Sequence, residues 1–192
     1  MSSQSIFRPS FGNRPDRIVG RESVMEDFAT GLSKQPGNRE RARLLIGQRG
    51  MGKTALLLEM AALARTSNFI TARTTCGPSM LDNILDLLQR HGGPVVAEKK
   101  PPVKGFNAGA LGFSFGLTFT DEARANYGFR VKLEMICERL AEAGKGVLLL
   151  IDEVRPELPE MRLLATTYQE LAGEGFNIAV VMAGLPAIIS EV

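Results

Sequence analysis

The sequence predicts a three-layer α/β protein, in which a mainly parallel sheet lies between two layers of helices. Segments rich in aliphatic residues alternate along the chain with longer segments that have the helical period of about 3.6 residues. This alternation is typical of strand–helix–strand units, which build parallel sheets covered by helices. One segment, "VLLLID", is aliphatic nearly throughout, as expected for a strand buried on both faces. At 192 residues the chain is long enough for one domain with a sizeable core.

Periodicity and turn residues predict the N-terminal elements. Residues 1–17 are rich in Ser, Pro, Gly and Arg and are expected to form an arm ahead of a domain of residues 18–192. A helix comes next, with an apolar face made of Val24, Met25, Phe28, Ala29 and Leu32. "ARLLIG" is predicted as a strand, "GKTALLLEMAALART" as a helix rich in Ala and Leu, and "NFITARTTC" as a second strand.

The later elements follow the same pattern. "SMLDNILDLLQRH" is predicted as a helix, and "GFRVKLEMICERLAEAG" as another that ends at Gly144 and Gly146. "VLLLID" is a strand, and "FNIAVVMAG" is the last strand. The helix between these two strands has one apolar stripe, which consists of Leu158, Met161, Leu164, Ala165, Tyr168 and Leu171.

The segment from about residue 92 to 127 interrupts this alternation and is predicted to be an inserted β-hairpin. Phe113, Phe115, Leu117 and Phe119 alternate with small and polar residues, which indicates one amphipathic strand. "VKGFNAGALG" is available as its partner strand. Two interpretations of the Phe row stay open. Either it packs on the surface of this domain, or it contacts a protein partner, a second copy of the chain or a further part of the same chain.

Charge and composition exclude some function classes. The net charge of +2 is too small to predict binding to nucleic acid or to an anionic membrane. The N-terminus lacks a secretory signal, and the longest apolar run is too short to span a bilayer. Cys76 and Cys137 have no metal-ligand spacing around them, so we expect two free thiols in a reducing, cytoplasmic location.

A glycine-rich loop between the first strand and the second helix is the strongest motif. "GQRGMGKT", Gly47–Thr54, fits G-x-x-x-x-G-K-S/T. Glycines let successive backbone N–H groups surround a phosphate, and the helix N-terminus adds positive charge. Lys53 is expected to reach the β- and γ-phosphates of a nucleotide, and the Thr54 hydroxyl to bind Mg²⁺. The predicted nucleotide-binding residues of this loop are Gly47, Gln48, Arg49, Gly50, Met51, Gly52, Lys53, Thr54 and Ala55.

An acidic pair follows the buried strand. "VLLLIDE" ends in Asp152 and Glu153. A carboxylate at the carboxyl end of a strand beside a phosphate loop is suited to hold Mg²⁺, which is the Walker B role expected for Asp152. Side chains alternate along a strand, so Glu153 points elsewhere and is the candidate base for an attacking water. Glu153 and Lys53 are the predicted catalytic residues.

These motifs resemble those of AAA+-type ATPase domains of the P-loop NTPase class, in the branch near the origin-recognition and STAND-like ATPases. The resemblance rests on "IVGRES", "LLIGQRGMGKTALL", "LLLIDEV" and "VVMAGLP", and it covers the chain from Ile18 onward apart from the insert. It implies that Ile18 and Val19 line an adenine pocket. It also implies that the last box ends the strand of sensor 1. Many members have a polar residue there, whereas this chain has Ala183 and Gly184.

The resemblance also bears on extent and partners. A helical lid with a sensor 2 arginine and an arginine finger are expected from it, and neither occurs in these 192 residues. We therefore expect the chain to be the N-terminal part of a longer protein, with weak turnover on its own. DNA is a partner that only the resemblance suggests. Arg39, Arg41 and Arg43 cluster before the first strand, but such clusters are most often solvated surface.

The sequence thus predicts an ATP-binding and ATP-hydrolysing domain that serves as a nucleotide switch, with ATP and Mg²⁺ as ligands. A guanine-specific N-K-x-D or T-K-x-D box is missing, which favours ATP over GTP. The Asp152–Glu153 pair favours hydrolysis over transfer to a small molecule. Two alternatives stay open, namely a P-loop phosphotransferase that acts on a small molecule and a nucleotide-binding module with little turnover.

Overall fold

The computed structural model describes residues 21–97, 113–114, 118–119 and 128–186. The helices and strands, numbered in chain order, are α1 Glu22–Ser33, β1 Ala42–Ile46, α2 Lys53–Thr66, β2 Phe69–Thr75, α3 Met80–Ala97, β3 Phe113–Ser114, β4 Thr118–Phe119, α4 Phe129–Glu142, β5 Gly146–Asp152, α5 Pro159–Gly173 and β6 Ile178–Gly184. One 3₁₀ turn, Arg39–Arg41, leads into β1.

Four parallel strands form the central sheet in the order β1-β6-β5-β2. In register, Leu45 of β1 lies beside Ala183 of β6, and Leu150 of β5 lies beside Val181 of β6. The last strand in sequence therefore separates β1 from β5, so the strand that ends in Asp152 is not the direct neighbour of the strand before the phosphate loop. All four carboxyl ends still lie along one edge of the sheet, which is where parallel α/β sheets bind ligands.

Helices cover both faces of this sheet, as the three-layer prediction requires. On one face, α1 and α2 pack against β5 and β6 through a cluster that includes Phe28, Leu57, Met60, Leu148 and Val181. On the other face, α3, α4 and α5 form a larger cluster, whose fully buried members include Ile84, Leu88, Leu133, Ile136 and Leu149. Every residue of β5 is buried, as its aliphatic sequence predicts. No helix in the described parts of the chain combines the length and the hydropathy needed to cross a membrane.

Two helices differ from their predictions, one in its length and one in the residues that it buries. Helix α3 continues past Gly92 to Ala97, several residues into the segment predicted as an insert. Gly92, Gly93 and Pro94 all lie within this helix, although a glycine costs about 1 kcal/mol and a proline about 3 kcal/mol relative to alanine in a helix interior. In α5, Ala165 is exposed and Thr167 is buried in its place.

The insert contains a hairpin, but its strands differ from those predicted. β3 and β4 pair antiparallel, with Phe113 opposite Phe119 and Ser114 opposite Thr118. The described parts of the run 113–119 are therefore two short strands that pair with each other, and not one continuous strand. The predicted partner strand, the rest of the insert and the N-terminal arm lie outside the described residues.

The arginine cluster before β1 is not a uniform solvated surface. Arg41 has only 3% of its surface exposed. Its guanidinium donates hydrogen bonds to the Leu32 carbonyl at 2.9 Å, to the Lys34 carbonyl and to Asn177 Oδ1, and it lies 5.6 Å from the ring centroid of Phe69. Burial lowers the pKa of Arg41. Arg41 thus joins the end of α1 to β2 and to the loop before β6, a structural role that leaves only Arg39 and Arg43 near the surface.

Candidate functional site

The phosphate-loop sequence forms the connection between β1 and α2, at the carboxyl edge of the sheet. Gly50 and Gly52 have φ angles of 81° and 73°, which are left-handed conformations that L side chains rarely adopt. Gly52 is the N-cap of α2, and its carbonyl accepts the first helical hydrogen bond from Leu56 N at 3.0 Å. The motif therefore requires glycine at both positions for the turn that places the loop ahead of the helix N-terminus.

Lys53 is folded back onto the loop. Its Nζ donates hydrogen bonds to the carbonyl oxygens of Gly47 at 2.6 Å and Gln48 at 2.8 Å. Both acceptors are neutral backbone groups, so the ammonium charge has no carboxylate in these contacts. A flexible lysine held in this way is positioned to move to an anion that enters the loop.

Thr54 and Asp152 are brought together across 98 residues of sequence. Thr54 Oγ1 donates a hydrogen bond to Asp152 Oδ2 at 2.6 Å. The other carboxylate oxygen, Oδ1, accepts from the backbone N–H of Glu153 at 3.0 Å. Asp152 is 8% exposed, whereas Thr54 is open to solvent. The hydroxyl and the carboxylate that the sequence predicts as metal ligands are thus direct neighbours at the mouth of the phosphate loop.

These two side chains offer oxygen donors, which are the ligands that hard cations such as Mg²⁺ prefer. Within the described residues no group of three or more His, Cys, Asp or Glu side chains would hold a metal ion by itself. Mg²⁺ is commonly bound by one or two protein oxygens together with the phosphates of a nucleotide and water. The Thr54 hydroxyl and the Asp152 carboxylate supply that kind of donor set, and their role as metal ligands stays a prediction.

Glu153 has an unusual backbone. Its φ angle is 53°, in the left-handed region that is uncommon for residues other than glycine. β5 ends at Asp152, and the turn at Glu153 leaves its side chain exposed. Such conformations persist only where the surrounding structure holds them, and they are often found at functional sites. Asp152 is buried and Glu153 is exposed, and the role of Glu153 as a base stays a prediction.

Backbone hydrogen bonds between strand ends hold this edge together. Gly47 N donates to Gly184 O at 3.3 Å, Val154 N to Ala183 O at 2.9 Å and Cys76 N to Asp152 O at 2.9 Å. The positions expected for sensor 1 thus contribute carbonyls and no polar side chain. Cys76 lies beside the site, but burial raises the pKa of its thiol, which keeps it protonated near neutral pH.

Arg21 is a contact of the loop that the sequence reasoning missed. Its Nη1 donates to Gly52 O at 3.2 Å, and its Nη2 donates to Met51 O. The residue lies in the "IVGRES" box, which the resemblance associates only with an adenine pocket. Its contact with the loop joins segments about thirty residues apart, and no sequence pattern indicates it.

The remaining predicted residues are placed as follows. Gln48, Arg49 and Met51 are exposed on the loop, and Ala55 is half-buried in the first turn of α2. Met51 Sδ accepts a hydrogen bond from Gln48 N at 3.2 Å, which closes the loop on itself. Ile18 and Val19, the expected adenine contacts, lie outside the described residues.

Comparisons with known proteins give matches among solved structures, at low sequence identity. No protein-family model matches the chain, and no curated protein matches it. Among solved structures, Cdc6p from Pyrobaculum aerophilum matches with a TM-score of 0.55 and 18% identity, over 95% of this chain and 43% of that one. The Aeropyrum pernix Orc1 protein in complex with DNA matches with a TM-score of 0.45 and 16% identity, over 93% of this chain and 42% of that one.

The Cdc6p match agrees with the origin-recognition resemblance at the level of fold. This chain spans less than half the length of either matched structure. With the observed sheet and the helices on both of its faces, the chain therefore has the α/β fold of a P-loop NTPase, of the kind seen in Pyrobaculum aerophilum Cdc6p.

Proposed function

We propose that this chain binds ATP with Mg²⁺ at the β1–α2 loop and hydrolyses it slowly, as the nucleotide switch of an AAA+-type protein. The observation that carries the proposal is the 2.6 Å hydrogen bond between Thr54 Oγ1 and Asp152 Oδ2. This hydrogen bond brings the hydroxyl of the glycine-rich loop into contact with the carboxylate that ends β5, and these are the two predicted metal ligands.

The residues have separate roles in this proposal. The loop N–H groups and the N-terminus of α2 bind the phosphates, and Lys53 exchanges its two carbonyl partners for phosphate oxygens. Thr54 and Asp152 would hold the Mg²⁺ ion, which when bound offsets phosphate charge. Glu153 accepts the proton of an attacking water, for which its exposed side chain is suited.

Slow turnover follows from the residues at the strand ends. The end of β6 has Ala183 and Gly184, which offer no side-chain donor to a γ-phosphate. This observation also favours a second candidate function, a nucleotide-binding module that does not turn over.

Glu153→Gln decides between slow hydrolysis and binding alone. Labelled ATP is mixed with excess protein, and ADP is separated by thin-layer chromatography over hours. The proposal predicts that the variant keeps its affinity for ATP and hydrolyses ATP at least about tenfold more slowly. The reason is that the substitution removes the base but no group that binds ATP or Mg²⁺. Glu157→Gln is the matched control, since Glu157 is an exposed acid a few residues further on. Equal rates for Glu153→Gln and the wild type would show that Glu153 is not the base. Absence of ADP with every protein, while ATP still binds, would establish the second candidate.

A further inference from the structure

We infer that Arg21 is a positioning residue that fixes the phosphate-binding conformation of the loop before nucleotide arrives; this inference rests on the proposed function. The two carbonyls that its guanidinium binds, Met51 O and Gly52 O, are the last two of the loop before α2. The guanidinium is thus bonded to the backbone of the loop and lies beside Gly52, with Nη1 and Nη2 both 3.9 Å from the place that a Cβ there would take.

The geometry of the peptide unit turns this contact into control of the N–H groups. Met51 C=O shares a peptide plane with Gly52 N–H, and Gly52 C=O shares one with Lys53 N–H. In a trans peptide the C=O and N–H groups point in opposite directions. By holding both carbonyls on its own side, Arg21 holds both N–H groups toward the opposite side, where the loop is proposed to bind phosphate.

Glycine makes such control necessary. Gly52 has φ 73° and Gly50 has φ 81°, and glycine populates alternative conformations readily. The Gly52–Lys53 peptide plane is held in part by the helical hydrogen bond from Leu56 N to Gly52 O, so the plane between Met51 and Gly52 depends most on an external partner. Two hydrogen bonds from one planar guanidinium restrict both planes at once, which a single point charge does not do.

Arg21 is itself fixed by the fold. It is the N-cap residue of α1, and its carbonyl accepts a helical hydrogen bond from Met25 N at 3.1 Å. Helix α1 packs in the same hydrophobic cluster as α2, through Phe28 and Leu32. The side chain thus approaches the loop from a helix that is packed on the helix following the loop.

Arg21 and Lys53 bind backbone carbonyls at opposite ends of the loop. Lys53 binds the carbonyls of Gly47 and Gln48 at its start, and Arg21 binds those of Met51 and Gly52 at its end. In the proposed mechanism Lys53 leaves its carbonyls when phosphate enters. Arg21 keeps its carbonyls, because its role is to orient N–H groups and not to touch the ligand.

Calorimetric titrations with two probes test this role. ADP and inorganic pyrophosphate are titrated into the wild type, Arg21→Gln, Arg21→Lys and the control Arg162→Gln, and the melting temperature of each protein is recorded. Arg162 is an exposed arginine of α5, on the other face of the sheet. We expect Arg21→Gln to lose about 5- to 20-fold in affinity for both probes. Arg21→Lys should lie between Arg21→Gln and the wild type, and Arg162→Gln should equal the wild type.

Each other outcome has a defined meaning. Equal affinities of Arg21→Gln and the wild type, or full recovery by Arg21→Lys, would overturn the positioning role. A loss seen with ADP and not with pyrophosphate would also overturn it, because Arg21 would then act on the nucleoside. One further result would show a structural role only. In that result Arg21→Gln loses affinity and has a lower melting temperature, whereas Arg21→Lys equals the wild type in both measurements. If the wild type binds neither probe, the proposed function itself fails, and the inference fails with it.

Discussion

At the scale of single residues, two hydrogen bonds of Asp152 set its position. One carboxylate oxygen accepts from the Thr54 hydroxyl at 2.6 Å, and the other accepts from the N–H of Glu153 at 3.0 Å. Asp152 is almost fully buried, so these bonds hold it in one orientation. Replacing the carboxylate by an amide removes the negative charge and turns one acceptor oxygen into an NH2 donor, with little change in shape. The substitution should therefore leave the fold intact and change the affinity for a hard cation.

Asp152→Asn should weaken the dependence of ATP binding on Mg²⁺. A neutral amide is a poorer ligand for Mg²⁺ than a carboxylate, so the gain in ATP affinity on adding Mg²⁺ should fall by about tenfold. The measurement is ATP affinity with Mg²⁺ and with EDTA. Asp82→Asn, an exposed acid in the first turn of α3, is the control. An unchanged Mg²⁺ effect in Asp152→Asn would contradict the metal-ligand assignment.

At the scale of elements, the close contact between β5, β2 and the loop before β6 depends on one glycine. A Cβ on Gly146 would lie 2.5 Å from Phe69 Cε1 and 2.7 Å from Asn177 Nδ2. Gly173, the last residue of α5, has nothing within 4 Å of the same position. The two glycines thus form a matched pair, one crowded and one open.

Gly146→Ala should lower the free energy of unfolding by about 1–3 kcal/mol, because the added methyl forces Phe69 and Asn177 to move. Gly173→Ala should leave stability unchanged or raise it by up to about 1 kcal/mol, since it restricts the unfolded chain at no steric cost. Urea unfolding of both variants measures the difference. Equal stability of the two variants would contradict the tight packing at the start of β5.

Among the helices and strands, those with a local sequence pattern could be predicted. β5 and α1 were predictable because their patterns are local, a continuous aliphatic run and a one-sided apolar face. The extension of α3 past Gly92 was missed because a Gly-Gly-Pro sequence usually ends a helix, whereas tertiary packing can override that preference. The hairpin was predicted, but residues 113–119 were predicted as one strand, whereas Phe113 pairs with Phe119 across two short strands. The strand order was not predicted, because pairing depends on contacts between distant segments.

The candidate site likewise contains residues that a local motif predicts and one contact that only the packing of distant segments creates. Gly50, Gly52, Lys53 and Thr54 follow from one motif, and the structure places Thr54 against Asp152. Nothing in the sequence pattern showed that the guanidinium of Arg21 would bind the loop, because that contact spans about thirty residues and depends on how α1 packs on α2.

At the scale of the whole molecule, a buried thiol ties stability to pH. Burial, and then the charges of Glu134 and Glu138, raise the pKa of Cys137 from 9.0 to about 12. A raised pKa means that the folded state disfavours the thiolate. The stability that the neutral thiol contributes is therefore complete below about pH 9 and is lost as the pH rises from there toward 12.

The free energy of unfolding should accordingly fall between about pH 9 and pH 11 in the wild type. Cys137→Ala should show a smaller decrease over the same range, since it has no thiol to ionise. Urea unfolding at several pH values compares the two slopes. Parallel slopes would show that Cys137 is not the group responsible.

The central claim is that the β1–α2 loop of this chain binds ATP, and one calorimetric titration tests it most directly. ATP with Mg²⁺ is added to the wild type, to Lys53→Ala and to Lys145→Ala. Lys145 immediately precedes β5, at the opposite edge of the sheet from the loop. Its substitution therefore changes the net charge as Lys53→Ala does, but far from the loop. The account predicts that Lys145→Ala binds ATP as the wild type does, and that Lys53→Ala binds at least about tenfold more weakly. Equal binding by all three proteins, or no binding by the wild type, would contradict it.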